Sequence, residues 1–181
     1  MDVPKSIKTK RLLLRCWESD DAENLSPILR SNLKHLKEWI PERVSKPASP
    51  ADLEKRLSGF KSDFISGKEW RFAIFILDEM TLLGEVSLFP RNKDGRVNFK
   101  FADRVEIGYW LRSDVTGKGY ATEASEGMFN LSKSLKGIKL VEIRCDAENV
   151  PSAAVPKRLG FQLAQPDKSN PGKMVWFFNF S

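Results

Sequence analysis

Histidine occurs once in these 181 residues, at position 35, and cysteine only twice, at 16 and 145. Zinc centres built from His and Cys, and catalysis by Ser-His-Asp or Cys-His, therefore have almost no material to work with. The two cysteines lie far apart, form no Cys-x-x-Cys pair and are too few for a disulfide framework. A reducing, cytoplasmic setting is the expectation. Met1-Asp2-Val3-Pro4-Lys5 has no apolar signal core. No run approaches the roughly eighteen apolar residues of a membrane span. Internal repeats and low-complexity tracts are absent as well.

What is present is enough for a core. Hydrophobic residues make up 41% of the chain, with 12 Phe and 5 Trp, and this excludes disorder as the general description. The length suits one domain spanning 1–181. Thirty Lys and Arg against 24 Asp and Glu give a formal charge of +6, which favours anionic partners without choosing among them.

The pattern along the chain predicts an α/β domain with a mixed sheet. Leu12-Leu13-Leu14 reads as a strand. Asp20-Asp21 opens a helix through Leu25, Ile28, Leu29 and Leu33, and Pro41, Pro47 and Pro50 break the next stretch into a loop. Ser49-Pro50 starts a second helix with Leu53, Leu57, Phe60 and Phe64 on one face. Trp70 to Leu77 and Leu82 to Phe89 read as strands joined in a hairpin across Asp78-Glu79-Met80. Val97, Phe99 and Phe101 alternate, hinting at an extra strand or an extended insertion, before the strong strand Val105 to Leu111. The next helix has Tyr120, Ala124, Met128, Leu131 and Leu135 inward and Glu123, Glu126, Asn130 and Lys133 outward. Leu140 to Cys145, a helix from Asn149 and Pro151 to near Gly160, and Met174 to Phe180 complete the order. Pro156 sits inside that last helix, where it frees the Ser152 carbonyl and is expected to kink the segment, at a cost of about 3 kcal/mol in an undisturbed helix.

The informative segment is Thr116-Gly117-Lys118-Gly119 between the Glu106-Ile107-Gly108-Tyr109-Trp110-Leu111 strand and its helix. Two glycines at this spacing let backbone N–H groups converge where the helix dipole adds to them, a nest suited to a pyrophosphate. The plainer reading is an ordinary glycine turn. Neither a Walker loop nor a Gly-x-Gly-x-x-Gly fingerprint is present.

The loop resembles the acetyl-coenzyme-A motif of the GNAT N-acetyltransferases, usually Gln or Arg, x, x, Gly, x, Gly or Ala. The strand before it resembles the RimJ/RimL-like branch, the N-terminal acetyltransferases of ribosomal proteins. Asn149-Val150-Pro151-Ser152 with Arg158-Leu159-Gly160-Phe161 after it, the opening Thr9 to Arg15 and the His35 to Pro41 segment match the same branch, in order, over nearly the whole chain. The resemblance implies a mostly antiparallel central sheet flanked by helices, and direct acetyl transfer from acetyl-CoA to an amine. Backbone groups of Tyr109, Trp110, Leu111 and Arg112 would pair with the pantetheine arm. Thr116, Gly117, Lys118, Gly119, Tyr120 and Ala121 would hold the pyrophosphate, and Asn149 would meet pantetheine. Thr116 departs from the motif's Arg or Gln. The tail from Gln162 to Lys173 is expected to place no substrate-side carboxylate, which leaves the general base open.

Glu106 is the preferred base, through water, or else an exposed or ion-paired strand carboxylate; Glu85 is the second candidate on the substrate side. Ser152 is the candidate proton donor to the departing thiolate, or a helix cap, with Tyr109 and Tyr120 as alternatives that otherwise pack. Cys145 reads as an inert strand residue, and His35 as a surface or acceptor-side one. Trp39 walls the acceptor cleft or simply packs. No metal is expected.

Three functions stay open: acetylation of a protein N-terminus, acetylation of a small amine (amino acid, polyamine or antibiotic), and a catalytically silent acetyl-CoA-binding module. An α-amine with pKa near 8 loses its proton at pH 7 for about 1.4 kcal/mol, against about 4.6 for a lysine amine near 10.4. A weakly specified base thus suits the α-amine, and the basic balance disfavours a polycationic acceptor. No nucleic acid and no membrane are expected as partners, and a homodimer is a family-level expectation.

Overall fold

The computed structural model describes residues 3–77, 81–166 and 170–180. Among them are nine strands: β1 (Ser6–Lys8), β2 (Leu12–Cys16), β3 (Trp70–Ile76), β4 (Leu82–Asn92), β5 (Gly95–Arg96), β6 (Arg104–Leu111), β7 (Leu140–Asp146), β8 (Gln162–Leu163) and β9 (Lys173–Asn179). The helices are α1 (Ala22–Ser31), α2 (Leu33–Leu36), α3 (Glu42–Ser45), α4 (Pro50–Ile65), α5 (Tyr120–Ser132) and α6 (Val150–Arg158). The strands form one sheet in the order β1-β2-β3-β4-β6-β7-β9-β8, with β5 on β4. Every pairing is antiparallel except β6 with β7. The mixed, mostly antiparallel sheet flanked by helices is thus the architecture the sequence predicts.

Strand alternation distributes the core over both faces of the sheet. Leu12, Leu14, Phe72 and Ile74 join Ala124, Met128 and Phe129 of α5 in one cluster. Leu13, Ala73 and Phe75 join Leu25 and Leu29 of α1 and Leu53, Leu57 and Phe60 of α4 in the other. Burying each Leu or Phe of these clusters is worth about 1.5–3 kcal/mol. α4 begins as its sequence dictates, with Ser49 Oγ accepting the Asp52 N–H at 3.2 Å and Pro50 at the first turn.

Several local expectations need correction. Phe99–Phe101 is a 3-10 turn, because the Asn98 side chain accepts the Lys100 N–H and the chain bends. Phe101 is left exposed, and the extra strand is only the two residues of β5. The stretch after Pro41 is not all loop, since it holds α3. Leu33 leaves the stripe of α1 because that helix ends at Ser31, and Leu33 starts α2 exposed. Glu123 does not point to solvent; Thr9 and Arg11, beside the N-terminal strands, hold it by hydrogen bonds. The hairpin turn at Asp78-Glu79-Met80 lies outside the described residues, although β3 and β4 pair antiparallel on either side of it.

Candidate functional site

β6 and β7 are parallel neighbours only from Arg104↔Leu140 to Ile107↔Ile143. Beyond that point β6 continues as Gly108–Leu111 paired to β4 alone, and β7 continues as Arg144–Asp146 paired to β9 alone. The sheet therefore forks, and each arm carries one ladder edge whose N–H and C=O groups face the gap. A cavity of about 400 Å³ occupies the fork. It is bounded by Gly108, Tyr109 and Trp110 on one arm, by Cys145 and Asp146 on the other, and by Asn149 and Ser152 of the α6 start. On the sheet face toward α3 it is walled by Trp39, Arg43 and Glu85.

Gly108 sits where the fork opens. A Cβ there would stand 2.9 Å from the Phe89 ring, so only glycine leaves that ring in place. Gly84, across from Leu111, is tighter still: a Cβ would overlap the Trp110 carbonyl oxygen.

The chain leaves β6 through Arg112 and a 3-10 turn at Ser113–Val115, and enters the glycine loop. Gly117 and Gly119 take φ of 77° and 82°, values that favour glycine. Gly119 is the N-cap of α5 and has no side chain to cap it, so the first-turn N–H groups stay available. Nothing lies within 4 Å of a Cβ at Gly117. An uncapped helix start beside open space fits a phosphate group. The same loop is braced from the far end of the chain, by contacts that no local sequence signal announces. Arg11 donates from Nη1 to the Lys118 carbonyl at 3.0 Å and from Nε to Glu123 at 2.6 Å, and its guanidinium lies over the Tyr120 ring. Thr9 Oγ1 donates to Glu123 at 2.6 Å. Burial pushes the Glu123 carboxyl upward, but these donors outweigh it and hold the group below its ordinary range. Thr116 turns inward to its own loop, donating to the Ser113 carbonyl at 2.9 Å.

Across the fork, the Tyr109 hydroxyl donates to the Ser152 carbonyl at 2.8 Å, and Ser152 Oγ donates to the Tyr109 hydroxyl at 3.2 Å. The carbonyl is free for this bond because Pro156 has no N–H to offer it. Burial pushes the Tyr109 phenol far above its ordinary range, so it stays a neutral donor. Asn149 Oδ1 accepts the Ser152 N–H at 3.1 Å and so caps α6. Burial, with Asp146 beside it, raises the Cys145 thiol and keeps it protonated. Trp110 and Leu111 are buried, and the Trp110 indole N–H has no hydrogen-bond partner among the described residues.

Both candidate carboxylates are engaged. Glu85, buried, accepts from Arg71 at 2.6 Å, Trp17 Nε1 at 2.8 Å and Ser87 Oγ at 3.2 Å. Glu106 accepts from Arg91 at 2.6 Å and from Arg96 at 3.1 Å. The ion-paired alternative weighed for Glu106 is thus its arrangement here, while it also lines the cavity. The tail beyond Phe161 does carry an acidic residue, Asp167, which lies outside the described residues. No group of three or more His, Cys, Asp or Glu placed to hold a metal occurs among the described residues.

The family model of the acetyltransferase (GNAT) domain matches residues 11–162. The chain belongs to the GNAT acetyltransferases. It is an N-acetyltransferase by that membership. Among curated GNAT relatives, a Bacillus subtilis (strain 168) protein named Putative ribosomal N-acetyltransferase YdaF is 27% identical over 154 residues, covering 84% of this chain and 78% of that protein. RimL, described as a ribosomal L7/L12 alpha-N-protein acetyltransferase and solved with coenzyme A, superposes with a TM-score of 0.79 at 19% identity, covering 97% of this chain and 98% of RimL. A Salmonella typhimurium acetyltransferase described as modifying the N-terminal serine of ribosomal protein L7/L12 gives 0.74 at 18% identity, covering 96% and 97%. At these identities the two structures establish the shared GNAT fold and no more.

Proposed function

We propose that this GNAT chain transfers the acetyl group of acetyl-CoA to the N-terminal α-amine of a protein, a ribosomal protein being the first candidate. The observation that carries the reading is the continuity of one cavity. It runs from the sheet face walled by Trp39 and Glu85, through the β6–β7 fork, to Asn149 and Ser152. Donor and acceptor can therefore meet from opposite sides. Acetyl-CoA supplies the activated thioester.

The free edge of Tyr109–Arg112 holds the pantetheine amides as a strand would. The amides of Thr116–Ala121 and the α5 dipole hold the pyrophosphate, with the Lys118 ammonium beside them. Asn149 keeps its amide nitrogen for the pantetheine arm, since only its oxygen caps α6.

As the amine nitrogen bonds to the acyl carbon, the carbon–sulfur bond breaks. Ser152 passes its hydroxyl proton to the thiolate and recovers one from water, while the neutral Tyr109 hydroxyl holds the Ser152 carbonyl in place. The amine's own proton leaves through water to Glu106. Because Arg91 and Arg96 already occupy both oxygens of Glu106, an amine that deprotonates for about 1.4 kcal/mol at pH 7 suits this site better than one that needs about 4.6.

An acceptor screen, N-terminal peptides against amino acids, polyamines and aminoglycosides, read by thiol release, tests the proposal. Turnover confined to peptides supports it. Turnover confined to small amines replaces it, and no binding of acetyl-CoA by calorimetry at millimolar concentration removes both.

A further inference from the structure

At the apex of the fork, Glu106 and Glu142 stand directly opposite one another on parallel strands. Two like charges in that position repel, and guanidiniums surround them. Arg91 reaches Glu106 at 2.6 Å and lies 4.0 Å from Glu142. Arg96 reaches Glu106 at 3.1 Å. Arg104 reaches Glu142 at 3.2 Å and Asp103 at 2.8 Å. Arg144 reaches Glu142 at 2.8 Å and lies 3.9 Å from Glu106. Four guanidiniums thus face three carboxylates, and Asp103 serves only Arg104. The neighbouring pairs on the cavity wall cancel: Arg43 and Arg71 against Glu69 and Glu85, and Lys173 against Asp146. One positive charge is left over at the apex.

That excess lies where a ligand can reach it. The side chains of Arg96 and Arg144 are 43% and 39% exposed, against 16% for Arg91. Each uses only part of its five N–H donors. Arg96 gives one N–H to Glu106, and Arg144 gives both of its bonds to a single oxygen of Glu142. The Phe89 ring, 3.6 Å from the Arg96 guanidinium carbon, holds that fork in place. Arg144 is also the first residue of β7 past its pairing with β6, and it lines the same cavity as Trp39 and Glu85.

We propose that Arg96 and Arg144 form a carboxylate subsite for the acceptor, binding an acidic side chain at the second or third position of the peptide. The inference rests on the peptide reading above and narrows it. An extended peptide rises about 3.3 Å per residue, so those positions carry a side chain about 3–7 Å farther along the groove than the first residue. Bidentate recognition of a planar anion is what a guanidinium fork does best.

The test compares kcat/KM for C-terminally amidated peptides beginning Ser-Asp-Asp, Ser-Gln-Gln and Ser-Lys-Lys. The acidic peptide is expected to lead the neutral one by about tenfold and the basic one by more. The lead is carried by KM. Arg96→Gln with Arg144→Gln should shrink it below about threefold while Arg96→Lys retains part of it, a change in ratio that general loss of fold would not produce. Equal kcat/KM for the three peptides overturns the subsite and leaves the peptide reading standing. If only small amines are acetylated, the peptide reading falls, and the subsite is judged by glutamate against glutamine. A lower KM for glutamate that Arg96→Gln abolishes supports an anion subsite, and equal KM values overturn it.

Discussion

The Tyr109 hydroxyl occupies, at 2.8 Å, the Ser152 carbonyl that Pro156 leaves without an intrahelical partner. A proline in a helix interior ordinarily removes a bond and clashes with the preceding turn. Here the vacated acceptor ties the start of α6 to β6 across the fork, so a local irregularity fixes the spacing of the site.

Tyr109→Phe should lower stability by about 1–3 kcal/mol, the cost of leaving a part-buried carbonyl unpaired. In a Pro156→Ala background the loss should be smaller, because the new N–H competes for the same carbonyl. A double-mutant cycle in chemical denaturation measures that coupling, and strictly additive effects would deny it.

Ser152→Ala removes the hydroxyl but not the carbonyl. We expect kcat to fall by about 10²-fold with acetyl-CoA affinity within twofold. Steady-state kinetics combined with calorimetry separates the two, and a wild-type kcat would return Ser152 to a purely structural role.

Gly84→Ala should cost about 1–3 kcal/mol through overpacking, since its Cβ meets backbone at Trp110. Gly108→Ala should cost less in melting temperature, because it meets the edge of the Phe89 ring, which can tilt. Tilting that ring disturbs Arg96, so Gly108→Ala should raise KM for acceptor more than for acetyl-CoA. Thermal melts and initial rates of the two variants test the contrast.

Acid should loosen the loop brace. Glu123 is held below its ordinary range in the folded chain, so its contribution is present above the unfolded value near 4.3 and is lost as pH falls through the lower folded value. Arg11 is partly exposed and screened by solvent, so Glu123→Gln should cost only about 0.5–1 kcal/mol at pH 7. The difference from wild type should shrink toward zero below about pH 4. Denaturation curves between pH 7 and pH 3 give the measurement.

Local signals were legible in the sequence. The glycines at 117 and 119, the strand from Val105 to Leu111 and the caps at Ser49 and Asn149 act through neighbours a few residues away, and they appear where their residues point. Features that depend on strand order were not legible. Arg11 and Glu123 are 112 residues apart and meet only because β1 and β2 fold over the start of α5. The Glu106–Glu142 pair needs the parallel register of β6 and β7. The alternating phenylalanines at 99 and 101 have strand periodicity, but among the described residues they pair with no strand, and the Asn98 cap decides the local conformation. The two-residue strands β5 and β8 carry no periodicity to detect.

The fork beyond Ile107 and Ile143 places an open sheet edge along a cavity within the domain. A group laid along it meets backbone N–H and C=O groups, which no substitution other than to proline removes. Under the proposed reading, such a rail would hold the donor through peptide groups while the side chains on either side set the acceptor.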